Sequence, residues 1–439
     1  MRKLLLLLLV VVLFATASTC RRRTSDGVTV ALPEKFSAFD TLTSTASDAA
    51  AERVRNLMFN ALIRKNENFE YVGELATEIT TSEDGKMITL TLHDGVKFHN
   101  GQAFTSADVK YTFDELFKSN GYKSGAFYDQ PPANAAGGEK APSVAHIEAL
   151  ETPDAVTVVF KLQRAALRNQ LLSNLVAIPI IPQGTVDQQK DNPVGSGPFK
   201  FVSFDPAQNT VELASNADYW EGAPKIEKLR LKTLTDANSL QAELQTGGVD
   251  IAPNPSNLPP DILNSMSGNP NLKIDQFDGS NIQYLVFNTQ SPPLDNVKVR
   301  QAIGYAVDRQ KIVTELLSDQ ARVAHSILPP QSWAYSPGTQ YSYDPAKAKQ
   351  LLNEAGYKNE PIVFKYGAGN AAVSQYAQVI QSSLNEAGLN VQIETLEVGV
   401  IRKQLAQGQF QMYTGVWIGG NQDPIFLHDL FSSTKIPGG

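Results

Sequence analysis

Apolar and polar residues alternate in two stretches of the first half of the chain. In residues 86–93, Ile88, Leu90 and Leu92 are separated by threonines. This is the period of a half-buried strand. Residues 155–162 alternate in the same way, and four apolar side chains are expected to face one side: Val156, Val158, Phe160 and Leu162. The pattern predicts two strands of a sheet with one buried face.

A helix is predicted between these two strands. Thr105 and Asp108 have the spacing of a capping box, with aspartate in place of the usual glutamate. Gly121 stands just beyond the predicted end of the helix, where a left-handed residue is common. Four apolar residues fall on one face of this helix: Val109, Phe113, Leu116 and Phe117. This part of the chain is therefore expected to combine sheet and helix.

From residue 225 the pattern changes to strand, helix and strand. Residues 226–234 are predicted to form a strand, and Asp236 is predicted to cap a helix that runs through Leu244. Two glycines end this helix, and residues 249–251 resume a strand. This order of elements predicts a parallel βαβ unit.

The last third of the chain is the most regular. Asp344 is predicted to cap a helix that ends at Gly356. The string Leu-Asn-Glu-Ala-Gly occurs at residues 352–356 and again at 384–388, each time before a predicted strand. The remaining predicted elements alternate: strand 361–366, helix 374–387, strand 391–396, a helix to Ala406 and strand 410–417. The alternation predicts one doubly wound α/β domain.

The first twenty residues have the pattern of a signal peptide. A basic start at Arg2 and Lys3 precedes an apolar run from Leu4 to Phe14, and small residues follow at 15–19. The run is shorter than the roughly 20 helical residues that a membrane span needs. Residues 1–20 are therefore predicted to direct export.

Two cleavage sites remain open. Ala15-Thr16-Ala17 fits ordinary signal peptidase, which would leave a soluble periplasmic protein. Ala17-Ser18-Thr19-Cys20 resembles a lipobox, although it lacks the usual leucine three places before the cysteine and the usual glycine or alanine directly before it. Cys20 is the only cysteine, and extracytoplasmic proteins tend not to keep a free exposed thiol. We favour a lipoprotein that is tethered through Cys20 to the outer face of the cytoplasmic membrane.

Composition and motifs exclude several classes of protein. The 439 residues exceed the length at which one core stops growing, so two or more domains are expected. The net charge of −7 gives no basis for binding nucleic acid. His93 and His99 flank a turn, and we interpret them as surface residues rather than shared metal ligands. Gly195-Ser196-Gly197 is not the nucleophile elbow of a hydrolase. No catalytic residue, cofactor or metal is predicted.

Four stretches resemble, in the same order, the family 5 of extracellular solute-binding proteins, the peptide/nickel/oligosaccharide branch of ABC-transporter binding proteins. They are residues 75–109, 195–251, 284–309 and 343–356. The first resembles the strand–turn–helix signature of the family, with His93 where a basic residue is usual. We interpret Tyr219 and Trp220 of the second stretch as packing residues, because aromatic residues at such places are more often core than ligand-binding.

The resemblance implies a type II-like periplasmic binding protein with two α/β lobes and an extra small α+β domain. The first lobe is expected at 27–45 and 195–283, the small domain at 46–194 and the second lobe at 284–439. Members of the family end by returning to the first lobe, so we expect a missing closing segment and an incomplete second lobe. The implied function is capture of a small ligand by a monomer that delivers it to the permease subunits. An extracytoplasmic hydrolase or other enzyme on this fold is the alternative.

The ligand site that the resemblance implies begins at Trp417. Peptide-binding members carry Trp-x-x-Asp, and the aspartate pairs with the α-ammonium of the peptide. Gly420 occupies the place of that aspartate here, followed by Asn421, and Asp423 stands at a different position. Trp417 is either a core residue or, as we favour, a residue that stacks on the ligand. Oligopeptides, neutral oligosaccharides and nickel chelates remain open, and the candidate ligand-binding residues are Trp417, Gly420, Asn421 and Asp423.

Overall fold

The computed structural model describes most of the chain after the predicted signal peptide. The described residues are 27–35, 38–45, 48–68, 70–129, 144–253, 258–332, 334–368, 371–417 and 427. Cys20, Gly420, Asn421 and Asp423 lie outside them, as does the segment near Gly439 on which the expectation of an incomplete second lobe rests. Among the described residues, no helix combines the length and the apolar character that crossing a membrane requires.

Strands and helices alternate along the described residues. The strands are β1 (Val28–Leu32), β2 (Ile63–Lys65), β3 (Tyr71–Gly73), β4 (Ala76–Thr81), β5 (Met87–Leu92), β6 (Tyr128–Asp129), β7 (Val144–Ala145), β8 (Ile147–Asp154), β9 (Thr157–Leu162), β10 (Phe199–Asp205), β11 (Thr210–Ser215), β12 (Lys228–Thr233), β13 (Ile282–Phe287), β14 (Pro361–Gly367), β15 (Asn390–Leu396) and β16 (Met412–Trp417). The helices are α1 (Ala49–Met58), α2 (Ser106–Ser119), α3 (Arg168–Leu175), α4 (Ala237–Thr246), α5 (Pro260–Met266), α6 (Val297–Ala306), α7 (Arg309–Lys311, continued by a π-helical turn), α8 (Pro345–Ala355), α9 (Ala371–Glu386) and α10 (Val398–Ala406). Short 3-10 helices cover Ser124–Phe127, Ala165–Leu167 and Asp187–Lys190.

The first sheet has the strand order β1-β12-β11-β10. β1 and β12 are parallel, whereas the other neighbours are antiparallel. The strand predicted at 249–251 is wrong, because only Ile251 pairs with Val30, as an isolated parallel bridge. The carboxylate of Asp250 accepts the backbone N–H of Thr29 at 2.8 Å, so that donor is unavailable to a backbone carbonyl and the ladder is interrupted.

A second, antiparallel sheet has the strand order β4-β5-β9-β8. Its strands fall, along the sequence, between β1 and β10 of the first sheet. The two alternating stretches form β5 and β9 here, as predicted, and Phe160 is fully buried. Val156 is the exception: it lies in the turn before β9 and is 37 % exposed. Helix α2 has the predicted capping contact, since the backbone N–H of Thr105 donates to the carboxylate of Asp108 at 2.9 Å.

The third sheet has the order β13-β16-β14-β15 and contains the predicted doubly wound pattern. β14 is parallel to both β15 and β16, and β13 is antiparallel to β16. Asp344 caps α8 through a 2.8 Å bond from the backbone N–H of Lys347. The repeated Leu-Asn-Glu-Ala-Gly string closes α8 and α9, each before a strand of this sheet.

The buried apolar residues form two large clusters and a small third one. The first cluster joins side chains of the first sheet, such as Leu213 and Leu229, to side chains of the segment 46–194, such as Phe113 and Phe160. The second cluster consists of side chains from the stretch of sequence between Leu294 and Met412 and surrounds the third sheet. β13 begins at Ile282 in the third sheet, so the expected lobe boundary at 283/284 falls inside a strand. The described part of the fold is thus α/β and two-lobed, with the added α+β segment built onto the first lobe.

Candidate functional site

The ends of three parallel strands meet at one edge of the third sheet. β14, β15 and β16 end there at Gly367, Leu396 and Trp417, and β13 begins there at Ile282, whose backbone pairs with that of Trp417. In open α/β sheets, ligands bind in the crevice outside the carboxyl ends of the strands. This edge is therefore the first wall of a candidate ligand site.

The first sheet has a corresponding edge. β1 and β12 are parallel and end at Leu32 and Thr233, and Ile251 continues the parallel set on the other side of β1. The loop of residues 38–45 follows β1 in the chain, and its Phe39 packs on Phe201 and Phe204 of β10. The same topological rule makes the carboxyl edge of the first sheet the second wall of the candidate site.

A cluster of uncharged polar side chains lies near the edge of the third sheet. The side-chain amide of Gln283 donates to the hydroxyl of Thr414 at 2.6 Å and to the carbonyl of Gly415 at 2.9 Å. The hydroxyl of Tyr376 faces Gln283 and Thr414, but among the described residues it makes no hydrogen bond of normal geometry. Burial raises the pKa of Tyr376 to about 12, so this hydroxyl remains protonated. The cluster offers neutral hydrogen-bonding groups to its surroundings.

Of the residues predicted for the site, the structure places only Trp417. Its backbone ends β16 at the edge where the parallel strands converge. The side chain of Trp417, and the residues Gly420, Asn421 and Asp423, lie outside the described part. The combination of these four residues into one ligand site stays a prediction.

Asn60 is an important residue that the sequence analysis missed. It is 2 % exposed, and its side-chain amide donates to the carboxylate of Glu74 at 2.7 Å. Its side-chain oxygen accepts from the hydroxyl of Ser196 at 3.1 Å and from the indole N–H of Trp220 at 3.3 Å. Burial raises the pKa of Glu74, and the bond from Asn60 opposes this rise. A single polar residue in the apolar run 57–63 is the sequence signal that indicates such a buried network.

Ser196 and Trp220 belong to the second of the family-like stretches, and the network explains what that stretch does. Ser196 is fully buried and Trp220 packs against the first core cluster. The ring of His93 lies 4.6 Å from that of Trp220, centroid to centroid. The motif therefore joins the segment 46–194 to the first sheet, which agrees with the interpretation of Trp220 as a packing residue.

His99 is not the free surface residue that the sequence suggested. Its ring Nε2 donates to the carbonyl of Gly197 at 2.9 Å, and its Nδ1 accepts the backbone N–H of Gly195 at 3.4 Å. Both glycines approach α1 so closely that a Cβ at Gly195 would lie 2.1 Å from the carbonyl oxygen of Met58. Burial lowers the pKa of His99 to about 4, so the ring is neutral. In the described residues, no cluster of three or more histidine, cysteine or acidic side chains has the geometry to hold a metal.

A recess of about 330 Å³ lies beside the Asn60 network. It is lined by Arg55, Asn56, Phe59, Ala61, Arg64, Lys65, Glu74 and Val176. Its two arginines are paired with carboxylates: Arg55 with Glu52 at 2.6 Å and Arg64 with Glu221 at 2.9 Å. Glu74 accepts from Asn60 at 2.7 Å, and the ammonium of Lys65 lies 4.8 Å from the ring centroid of Tyr71. The recess is thus a junction of the scaffold rather than a vacant ion site.

Comparison with known proteins places this geometry in context. Residues 70–438 match the family model described as bacterial extracellular solute-binding proteins, family 5. The chain is 29 % identical to heme-binding protein A of Haemophilus influenzae, over 96 % of this chain and 80 % of that protein. It is 28 % identical to the dipeptide-binding protein of Escherichia coli, over 91 % and 77 % of the two chains. The structure of the oligopeptide-binding protein AppA from Bacillus subtilis, in complex with a nonapeptide, superposes with a TM-score of 0.71 at 25 % identity, covering 94 % and 82 %.

Proposed function

The chain belongs to family 5 of the bacterial extracellular solute-binding proteins, and from that premise we propose where and what it binds. As a member, it is the extracytoplasmic component of an ABC transporter that captures a small ligand between two lobes and delivers it to the membrane permease. The proposed site is the crevice between the carboxyl edges of the first and third sheets. The observation that carries it is the convergence of Gly367, Leu396 and Trp417 at one edge.

Trp417 is proposed to stack on the ligand, with Gly420, Asn421 and Asp423 in the loop beside it. Support comes from the position of Trp417 at the end of β16 and from the small and polar residues that follow it in the sequence. Aromatic side chains provide a large apolar surface with a fixed orientation, which suits both sugar rings and peptide side chains.

The ligand is proposed to be an oligosaccharide or a peptide-like molecule without a free α-ammonium. The names of the relatives include binding of heme, of a dipeptide and of a nonapeptide, so the scaffold alone does not select the ligand. A buried ammonium needs a carboxylate partner. Gly420 stands where such a carboxylate is usual, and the polar cluster of Gln283, Thr414 and Tyr376 is uncharged. These groups favour a neutral ligand.

The relatives are binding proteins, and we propose that this chain likewise has no turnover of its own. We further propose that it acts as a monomer, that Cys20 carries a lipid anchor, and that the segment 46–194 is a small domain inserted into the first lobe. The start of β13 at Ile282 moves the proposed beginning of the second lobe to about residue 282.

A thermal-shift screen tests the proposal. The purified protein is heated with free and N-acetylated di- and tripeptides, maltooligosaccharides, nickel–histidine and heme. A ligand present at 100 times its dissociation constant adds about 2.7 kcal/mol of stability. Stabilisation by one class, with the compound recovered unchanged, supports a binding protein. A chemically altered compound would instead support the enzyme alternative.

A further inference from the structure

If the proposed function holds, the loop of residues 38–45, which follows β1 in the chain, forms part of the second wall of the candidate site. Two of its apolar side chains are buried in the first core cluster, Phe39 and Leu42. The carboxylate of Asp40 accepts the backbone N–H groups of Leu42 and Thr43 at 2.9 and 3.0 Å. These contacts within the loop and with the core give the loop a defined shape.

The segment 121–123, between α2 and the following 3-10 helix, lies directly against this loop. The backbone N–H of Tyr122 donates to the carbonyl of Ser44 at 2.8 Å. A Cβ at Gly121 would lie 2.7 Å from the same carbonyl oxygen, so the two backbones can approach this closely only because residue 121 is glycine. The contact therefore joins the loop to the segment 46–194.

Lys123 adds a buried charge to this contact. Its side chain is 10 % exposed, and its ammonium pairs with the carboxylate of Glu52 at 2.6 Å. The ammonium also donates to the carbonyl of Ala177 at 2.7 Å and to the hydroxyl of Thr41 at 3.2 Å. A lysine ammonium has three N–H donors and no acceptor. All three donors are used, and one of the three partners is in the loop.

The charged groups around Lys123 are few. Glu52 on α1 is shared with Arg55, whose Nε donates to it at 2.6 Å, and Asp40 contributes from the loop. Burial, together with repulsion from Arg55, lowers the pKa of Lys123 to about 8, while Glu52 and Asp40 oppose this shift.

We infer that Lys123 is a positioning residue for ligand binding, which holds Thr41 and the loop of residues 38–45 against the segment 46–194. The small domain thereby acquires a role: it sets the position of the first lobe's wall of the crevice. Loss of the proton leaves the amine with two N–H donors and a lone pair. Glu52 and the carbonyl of Ala177 can only accept and keep the two donors. The hydroxyl of Thr41, which makes the longest of the three contacts, must then donate to the nitrogen in a bond that is no longer charge-assisted, so its hold on the loop weakens. The inference rests on the proposed function only in its consequence for the ligand.

Hydrogen exchange in the ligand-free protein tests the positioning itself. In Lys123→Met, Glu52 keeps Arg55 as its partner, and an apolar chain of similar length fills the space, so the fold is expected to persist. We expect the peptide covering residues 38–45 to exchange at least fivefold faster than in the wild type. Thr41→Val removes only the acceptor in the loop and should give the same result, which keeps the test valid if the first variant does not fold. Lys118→Met, at a lysine whose side chain is 76 % exposed on α2, is the matched control and should change nothing.

The dependence on pH separates positioning from a merely structural role. After correction for intrinsic rates, wild-type exchange in residues 38–45 should accelerate between pH 7 and 9.5, whereas Lys123→Met should show no such step.

For affinity, the probes are trialanine and N-acetyl-trialanine. If the loop of the variant is in place 10–20 % of the time, the better probe should bind about five- to tenfold more weakly. Unchanged exchange in both variants, or faster exchange with unchanged affinity, would overturn the inference. If neither probe binds the wild type, the peptide part of the proposed function fails, and the exchange data still decide whether Lys123 holds the loop.

Discussion

The imidazole Nε2 of His99 donates a 2.9 Å hydrogen bond to the backbone carbonyl of Gly197. The bond fixes the neutral ring, with its proton on Nε2, between the first sheet and the segment 46–194. It links two parts of the chain that are 98 positions apart. A histidine held in this way makes the stability of the fold depend on pH.

We expect acid to destabilise the protein through His99. The pKa of this residue is about 4 in the fold and 6.5 in the unfolded chain, so the unfolded state binds the proton first as the pH falls. Its contribution is fully present above about pH 6.5 and is lost progressively towards pH 4, with a maximum of about 3 kcal/mol. Urea unfolding at pH 7.5 and 4.5 measures the loss.

The variant His99→Gln isolates this effect, because the glutamine amide can still donate to Gly197 but does not titrate. The stability difference between the two pH values should shrink by about 2–3 kcal/mol relative to the wild type. Glu74, whose pKa is raised by burial, acts in the opposite direction and is common to both proteins. His93→Gln is the control and should keep the wild-type dependence. If His99→Gln retains the full loss of stability in acid, the titration of His99 is not its cause.

Asn60→Ala should be among the most destabilising single substitutions in the segment 46–194. It removes the partner of the buried Ser196 hydroxyl and of the Trp220 indole, and one of the partners of the Glu74 carboxylate, which keeps the backbone N–H of Ala61. Buried polar groups left without partners cost about 1–3 kcal/mol each, so we expect a loss of at least about 2 kcal/mol in urea unfolding at pH 7. Asn264→Ala, at an exposed position of α5, should change stability by less than about 0.5 kcal/mol. Similar losses in the two variants would refute the role of the network.

Peptides with a free α-amino group should bind weakly or not at all. A charge-assisted hydrogen bond contributes about 1.5–3 kcal/mol, so its absence at Gly420 should cost one to two orders of magnitude in affinity. Calorimetry with di- and tripeptides, each with its N-acetylated counterpart, measures the difference. Submicromolar binding that disappears on acetylation would show that an acid recognises the amine after all.

Two substitutions locate the site once a ligand is known. Trp417→Ala should weaken that ligand at least tenfold if the indole stacks on it, because a stacked aromatic ring contributes both buried area and a specific contact. Asp423→Asn should leave affinity unchanged unless the loop presents this carboxylate to the ligand. Equal affinity of the wild type and Trp417→Ala would favour the alternative, in which Trp417 is a core residue.

Mass spectrometry of the mature protein shows whether Cys20 carries a lipid anchor. We expect a lipid-modified Cys20 as the first residue, and release of Cys20→Ser into the soluble fraction. An unmodified N-terminus at Ser18 would instead indicate ordinary signal peptidase and a soluble periplasmic protein.

The sequence predicted regular elements well where local chemistry decides them. Asp344 and Asp108 make the expected capping contacts, and Val109, Phe113 and Leu116 are buried on one face of α2 as their spacing predicted. The predictions for Val156 and for the segment 249–251 were wrong. Val156 lies in a turn and is exposed, and the hydrogen bond from Thr29 to the side chain of Asp250 interrupts the strand pairing at 249–251.

The contacts that join distant segments could not be predicted in the same way. Asn60 meets Trp220 across 160 positions, and Lys123 meets Thr41 across 82. Periodicity describes which side of an element is buried, but it does not say which polar groups meet once the elements pack. Such pairs of residues can be identified only from the three-dimensional structure.

The shared apolar cluster of the first sheet and the segment 46–194 determines how many cooperative units the protein has. Elements whose side chains interlock in one cluster lose their packing together, whereas the cluster around the third sheet is separate in the described residues. Calorimetric melting is therefore expected to resolve at most two transitions, not three, and ligand that bridges the lobes should bring them closer in temperature. The segment 46–194 would then have no melting point of its own, and a fragment consisting of these residues alone should fail to fold.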